Sequence, residues 1–263
     1  MHSFQYHRPT STAEAEGLAQ KASESRFLAG GMSLLPALKL RLAQPSDLID
    51  LSRIGDLKGI SVTGSEVRIK AMTTHATVAA SPEVRKAIPA LADLAASIGD
   101  PQVRNRGTIG GSLANSDPAA DYPAAVLALN ATIHTSRRTI AADSYFKGLF
   151  ETALAPNEVI TAVSFPVPQG AAYEKFFHPA SRFAVVGVFV ARSASGVRVG
   201  VTGAGPCAFR ATAFEQALSK NFSADALKGL RVPADGLNSD IHAAADYRAH
   251  LIGVLARRAV AAA

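Results

Sequence analysis

Two short segments constrain this chain more than any other feature. Each sets adjacent glycines beside a hydroxyl side chain: "AGGMS", Ala29–Ser33, and "TIGGS", Thr108–Ser112. Without a Cβ, glycine enters positive φ easily and lets other atoms approach the backbone. Successive N–H groups in such a segment can converge on an anion. Ser33, Thr108 and Ser112 add hydroxyl donors. "SRFLAG" reads as a strand running into the first pair, and the second pair reads as a loop behind a helix. Either pair alone is also explained by an ordinary turn. Two together suit a ligand with two phosphates better than one.

Several functional classes are disfavoured. No third glycine follows Gly30 and Gly31 at the spacing of G-x-G-x-x-G, and no lysine completes a Walker pattern. There is no G-x-S-x-G elbow. No acid, base or nucleophile can be nominated from spacing, so no catalytic residue is assigned. His75 follows a strand at the start of a helix and has no evident carboxylate partner, which favours capping or packing over catalysis. The seven histidines show no metal-ligand spacing, so no metal site is expected. The single cysteine, Cys207, allows no internal disulfide and cannot hold an iron–sulfur cluster by itself.

The formal charge of +6 fits an anionic ligand or an acidic partner, but is more simply read as solvated surface charge. With no tryptophan and 6% aromatics, the chain lacks the basic–aromatic interleaving of a nucleic-acid binder. No apolar run reaches the roughly 18 residues of a membrane span. The best candidate, Phe183–Ala191, reads as a buried strand. The N-terminus lacks a signal-peptide apolar region, and a cytoplasmic location is expected.

Residues 1–55 read as β-α-β: a strand at "FQYHRP", a helix from a Ser11 cap with Glu14 completing a capping box, "SRFLAG", and "DLIDLSRI". Between the last two, "SLLPALKLRL" is expected to be broken by Pro36. Residues 56–168 open with a hairpin around Gly64-Ser65. A short helix at Thr77–Ala80 and a longer one from Pro82 follow, then the glycine segment, "YPAAVLALNATIHT" and the strand "EVITAVSFP". Pro166 and Pro168 mark a boundary. Beyond it lie three strands and two helices, Ala211–Ser219 and about 241–262, with Tyr247, Leu251, Val254 and Leu255 on one side of the last.

"FLAGGMSLLPALKLRL", "IGDPQVRNRGTIGGSLANSDPAADYPAA" and "SDIHAAADYRAHLIGVLARRAV" closely resemble the medium, FAD-binding subunit of molybdenum hydroxylases. That group includes the carbon monoxide dehydrogenase medium subunit and the xanthine dehydrogenase flavin domain. The resemblance covers nearly the whole chain. It implies an α+β architecture: a two-subdomain FAD-binding fold of the vanillyl-alcohol oxidase type over 1–168, then a small three-stranded α+β C-terminal domain over 169–263. It also implies an electron-transfer subunit. A large molybdopterin subunit would hydroxylate the substrate, and a small subunit would carry two [2Fe–2S] clusters. FAD on this chain would pass electrons to an external acceptor, in a dimer of heterotrimers. A stand-alone FAD-dependent oxidoreductase of the same superfamily is the alternative.

The same resemblance assigns the cofactor-binding residues. Leu28, Ala29, Gly30, Gly31, Met32, Ser33, Leu34 and Leu35 should line the adenine–pyrophosphate side. Thr108, Gly110, Gly111 and Ser112 should form a second clamp, and Asp121 should hold the ribityl chain or nearby hydroxyls. Asp117 either joins it or caps the turn before Pro118. Ile160 should pack on the isoalloxazine, or else be a plain core residue. Lys175 matches a family lysine near the flavin's polar edge. Met32 stands where relatives often have Gln or His. Phe183 falls where some relatives place a tyrosine close to the isoalloxazine, or else begins the core of its strand.

Overall fold

The computed structural model describes residues 1–263. The chain opens with β1 (Gln5–His7), α1 (Thr12–Lys21), β2 (Ser25–Leu28), α2 (Leu34–Lys39) and β3 (Asp47–Asp50). The strands form a parallel sheet in the order β1-β3-β2. Ser11 caps α1 by accepting from the Glu14 N–H. The Glu14 carboxylate reaches back one residue further than a capping box requires, to the Thr10 N–H at 2.8 Å. Pro36 does not break α2. It sits in the first turn, where a missing N–H costs nothing.

The middle of the chain holds β4 (Ile60–Val62), β5 (Glu66–Lys70), α3 (His75–Ala80), α4 (Pro82–Ala87), α5 (Pro89–Ala96), α6 (Pro101–Arg106), α7 (Ile109–Asn115), α8 (Tyr122–Ala128), β6 (Thr132–Thr135), β7 (Thr139–Ala141), β8 (Phe146–Gly148), β9 (Glu151–Thr152) and β10 (Ile160–Pro166). An antiparallel sheet runs β4-β5-β10-β6-β7. The helix expected from Pro82 is two helices, because Pro89 disfavours helical backbone at Ile88, which lies at φ −141° and ψ 76°.

The last part contains β11 (Gly170–Phe177), β12 (Ala184–Ser193), β13 (Gly196–Thr202), β14 (Phe209–Arg210), α9 (Thr212–Lys220) and α10 (Ala245–Ala262). The sheet runs β11-β12-β13-β14, so the two-residue β14 adds a fourth strand to the three expected. Its brevity leaves no periodic signal in the sequence. The apolar run in β12 is buried on both faces. Val186, Val188 and Val190 pack toward α10, and Phe189 and Ala191 join the core that contains α8. A Cβ on Gly200 would lie 2.1 Å from the Ala124 carbonyl oxygen, so glycine there permits α8 to lie directly on β13. On α10 the buried side carries Arg248, Leu251, Ile252, Leu255 and Ala256, while Tyr247 faces outward.

Candidate functional site

The first glycine segment leaves β2 and turns into α2. Gly31 has φ +78°, a conformation other L-residues rarely adopt. The N–H groups of Gly30, Gly31, Met32 and Ser33 donate to no protein atom. The Ser33 hydroxyl makes no capping bond. Gly30 and Gly31 are half-exposed and Met32 is exposed. A run of open amides beside a free hydroxyl is a set of donors that an anion can satisfy. Leu28 and Leu35 close the inner side of this run, each approaching the open face of Gly31.

The second segment differs from expectation. It is not a loop. Thr108 caps α7, and the glycines occupy that helix's first turn. Its amides are engaged within the protein: Ile109 N–H to Thr73 O at 3.2 Å, Gly110 N–H to Ala71 O at 2.8 Å and Ser112 N–H to Thr108 O at 3.0 Å. The Gly111 N–H donates to Thr108 Oγ1 at 3.2 Å. This segment therefore offers a ligand its Ser112 hydroxyl and a close-fitting wall. Its glycines serve packing: a Cβ on Gly110 would sit 2.6 Å from Ala71 Cβ.

The two segments touch. A Cβ on Gly30 would lie 2.0 Å from the Arg106 carbonyl oxygen, and one on Gly111 would lie 3.2 Å from Ala29 Cβ. The paired glycines thus hold two distant stretches of chain in close contact, with the open amides of the first at the junction.

Asp121 and Lys175 come together as a buried ion pair. Lys175 Nζ is 2.8 Å from Asp121 Oδ1, with the side chains 2% and 3% exposed. The Tyr173 hydroxyl donates to the same oxygen at 2.6 Å, and Lys175 also donates to Ser97 O at 3.3 Å. Burial pushes the Asp121 carboxyl upward, while the lysine and the phenol pull it back. Burial first, and then the adjacent carboxylate, raises the Tyr173 phenol well above its ordinary value.

Ile160 is buried at the start of β10, beside a bulge against β6. Asp117 Oδ1 accepts the Ala119 N–H at 2.9 Å and so closes the turn around Pro118. Phe183 precedes β12 and is 53% exposed, which removes it from the strand core. It lines a cavity of about 270 Å³ together with Asp117, Pro118, Phe150, His178 and Gly203. His75 is buried under the second glycine segment, its ring 5.4 Å from that of Tyr122. Neither His75 Nδ1 nor the Tyr122 hydroxyl has a partner. Burial, then the nearby Arg104, holds the imidazole down to about 4, so His75 is a neutral packing residue at pH 7.

Residues 2–168 match the family described as the FAD binding domain in molybdopterin dehydrogenase. The chain belongs to this family. It is 40% identical to the carbon monoxide dehydrogenase medium chain of Hydrogenophaga pseudoflava, covering 99% of this chain and 96% of that one. It is 38% identical to the nicotine 6-hydroxylase medium subunit of Paenarthrobacter nicotinovorans, with 98% and 96% covered. A solved structure of the Hydrogenophaga pseudoflava carbon monoxide dehydrogenase that lacks the Mo-pyranopterin moiety superposes with a TM-score of 0.90 at 40% identity, over 100% of this chain and 97% of that chain. Quinoline 2-oxidoreductase from Pseudomonas putida 86 gives 0.89 at 29% identity, over 99% and 96%.

As a FAD-binding member of the molybdopterin dehydrogenase family, the chain has a site whose chemistry fits the cofactor. Open amides and the Ser33 hydroxyl are donors, as pyrophosphate oxygens require. Sequence reasoning missed Tyr173, Thr202 and Arg248. Tyr173 shares Asp121 with Lys175. The Thr202 hydroxyl contacts the carbonyls of Pro118 and Ala120 at 2.9 and 2.5 Å. A phenol or hydroxyl inside a strand carries no spacing signal, and α10 gave no sign that Arg248, among its three arginines, points inward. No helix is long and apolar enough to cross a membrane.

Proposed function

We propose that this chain is the electron-transfer flavoprotein of a cytoplasmic molybdenum hydroxylase, a dimer of heterotrimers. It would receive electrons from a small partner subunit with two [2Fe–2S] clusters and deliver them through FAD to an external acceptor. A large partner subunit with the molybdopterin cofactor would carry out substrate hydroxylation. The single observation that carries this reading is the open amide run at Gly30–Ser33, pressed against the second glycine segment. With one cysteine, the chain must take its clusters from another subunit.

Residues 1–168 form the cofactor-binding domain in this reading, subdivided near residue 55, and 169–263 form the C-terminal domain. Leu28–Leu35 bind the adenine–pyrophosphate half, with Gly30, Gly31 and Ser33 at the phosphates. Met32, 40% exposed, contributes its backbone N–H. Thr108, Gly110, Gly111 and Ser112 wall the opposite side. Ile160 and Phe183 border the ring. Asp121 and Lys175 enter as a buried pair in which each fixes the other's orientation. Bound FAD supplies a centre that exchanges electrons singly or in pairs, linking one-electron clusters to a two-electron acceptor. The protein's residues bind, orient and shield; none performs acid–base work on an organic substrate.

The test is an absorbance spectrum of the purified chain, followed by mass analysis of whatever acid precipitation releases. Flavin bands and a released mass equal to FAD are expected, with iron in preparations that retain the partner. A folded protein that stays colourless and takes up no FAD on titration, alone or assembled, overturns the reading. Rapid flavin reduction by a small organic donor on the chain alone would favour the stand-alone oxidoreductase instead.

A further inference from the structure

The segment Asp117–Asp121 follows the second glycine segment, and its first three residues, Asp117, Pro118 and Ala119, line the cavity bordered by Phe183. Within its own part of the chain it is held by Asp117, whose Oδ1 accepts the Ala119 N–H at 2.9 Å and whose carbonyl accepts the Ala120 N–H at 3.0 Å. It is also gripped from the C-terminal sheet. The Thr202 hydroxyl, fully buried at the end of β13, lies 2.9 Å from the Pro118 carbonyl and 2.5 Å from the Ala120 carbonyl. The next residue, Gly203, donates its N–H to the same Pro118 carbonyl at 2.7 Å. Gly203 has φ +81°, and a Cβ there would lie 2.5 Å from Ala184 O, so only glycine can present that N–H. On its other side the Gly203 carbonyl accepts from Arg248 at 2.9 Å. The Arg248 guanidinium is buried, also donates to Val185 O at 2.6 Å, and is held by both oxygens of Asp240. At the far end of the segment, Tyr173 on β11 donates to Asp121.

We infer that Thr202 is a positioning residue for the FAD site: with Gly203 and Arg248 behind it, it fixes the Asp117–Asp121 segment, which ends on the proposed cofactor residue Asp121 and borders Phe183, before the cofactor arrives. This inference rests on the proposal that FAD occupies the site. The geometry has the character of pre-organisation. One hydroxyl and one N–H converge on two carbonyls of a loop, and an arginine holds the carbonyl on the far side of the glycine that presents the N–H. A ligand that meets a preformed segment does not spend binding energy ordering it. Thr202 itself need not touch the cofactor. A loosened segment would weaken FAD binding and disturb the flavin's surroundings without unfolding the chain.

The experiment compares wild type, Thr202→Val and Thr202→Ser as full chains stripped of flavin. It measures FAD affinity by titration, the visible circular dichroism of the bound flavin, and the melting temperature of the apoprotein. Thr202→Val keeps the shape and removes the hydroxyl. The expected result is about tenfold weaker FAD binding with an altered flavin dichroism, the scale of one lost buried hydrogen bond. Thr202→Ser should restore both. An unchanged affinity in Thr202→Val, or a loss in Thr202→Ser equal to that in Thr202→Val, overturns the inference while leaving the FAD site intact. A lowered apoprotein melting temperature with unchanged affinity does the same, since Thr202 would then be purely structural. Failure of the wild type itself to bind FAD overturns the underlying proposal. If Thr202→Val does not fold, Tyr173→Phe releases the other end of the segment and carries the same expectation and the same refutation.

Discussion

At the scale of single residues, the sharpest case is His75. Its imidazole sits in the core beneath the second glycine segment, and burial holds it down to about 4 against an ordinary 6.5. A histidine whose folded-state value is depressed binds fewer protons than it does in the unfolded chain between those two values. Stability is therefore full above pH 6.5 and declines as pH falls toward 4. The difference amounts to roughly 3 kcal/mol when complete. Urea unfolding at about pH 7 and about pH 4.5 should show His75→Gln losing less stability than wild type across that interval, by up to this amount. Parallel declines in the two proteins would show that His75 does not titrate as its burial requires. Gly107 belongs to the same packing. A Cβ there would lie 2.5 Å from His75 Nε2, so Gly107→Ala should cost about 1 to 3 kcal/mol in the same assay. The sequence allowed the packing role of His75 to be read from its missing carboxylate partner. It gave no hint of Tyr122 as the neighbour, because residues 47 positions apart share no local pattern.

At the scale of elements, the two glycine segments show what a local pattern reveals and what it hides. The pairs were visible, and so was the strand before the first. That the second is a capped helix was not, because glycine disfavours helix and only tertiary contact overrides that preference. The reason for the glycines was hidden too. Gly31 answers to backbone conformation, whereas Gly30 and Gly110 answer to close backbone approach. The hairpin of β4 and β5 was legible from alternation, and the split at Pro89 was readable in principle from the proline itself. These distinctions predict opposite outcomes for one kind of substitution. Gly30→Ala forces a Cβ to within 2.0 Å of the Arg106 carbonyl oxygen, so the segments must separate. A loss of roughly 3 kcal/mol and of FAD retention is expected. Gly17→Ala, inside α1 with nothing within 4 Å of the added carbon, should stabilise by about 0.5 to 1 kcal/mol and leave flavin content unchanged. Thermal melts and flavin-to-protein absorbance ratios on both variants separate the cases. Equal effects would mean that contact between the segments is not what the first glycine provides.

At the scale of the whole molecule, the C-terminal sheet is packed into the rest of the chain through α8. α8 lies against one face of that sheet and α10 against the other. The buried pair Asp121–Lys175 crosses the junction, joining the start of α8 to β11. Resemblance pointed to both residues, but their pairing could only come from tertiary structure. The pair's energetics follow from its burial. Two charges removed from water stabilise little net, yet removing one partner strands the other at a cost of about 3 to 5 kcal/mol. Lys175→Met should therefore lower stability by about that amount. Lys175→Met combined with Asp121→Asn removes the stranded charge and keeps an acceptor for Tyr173, so it should recover more than half of the loss. The deficit of the single variant also has a pH signature. Burial raises the Asp121 carboxyl above its ordinary value even with the lysine in place, and without the lysine only the Tyr173 hydrogen bond and the backbone oppose it. The folded form then carries a proton that neutral pH removes at a penalty, so the deficit grows as pH rises from acid to neutral. Urea unfolding of wild type, the single and the double variant at about pH 5 and about pH 8 tests both parts. Additive losses in the double variant, or a deficit independent of pH, would show that the junction is held by packing alone and that the charge pair is incidental to it.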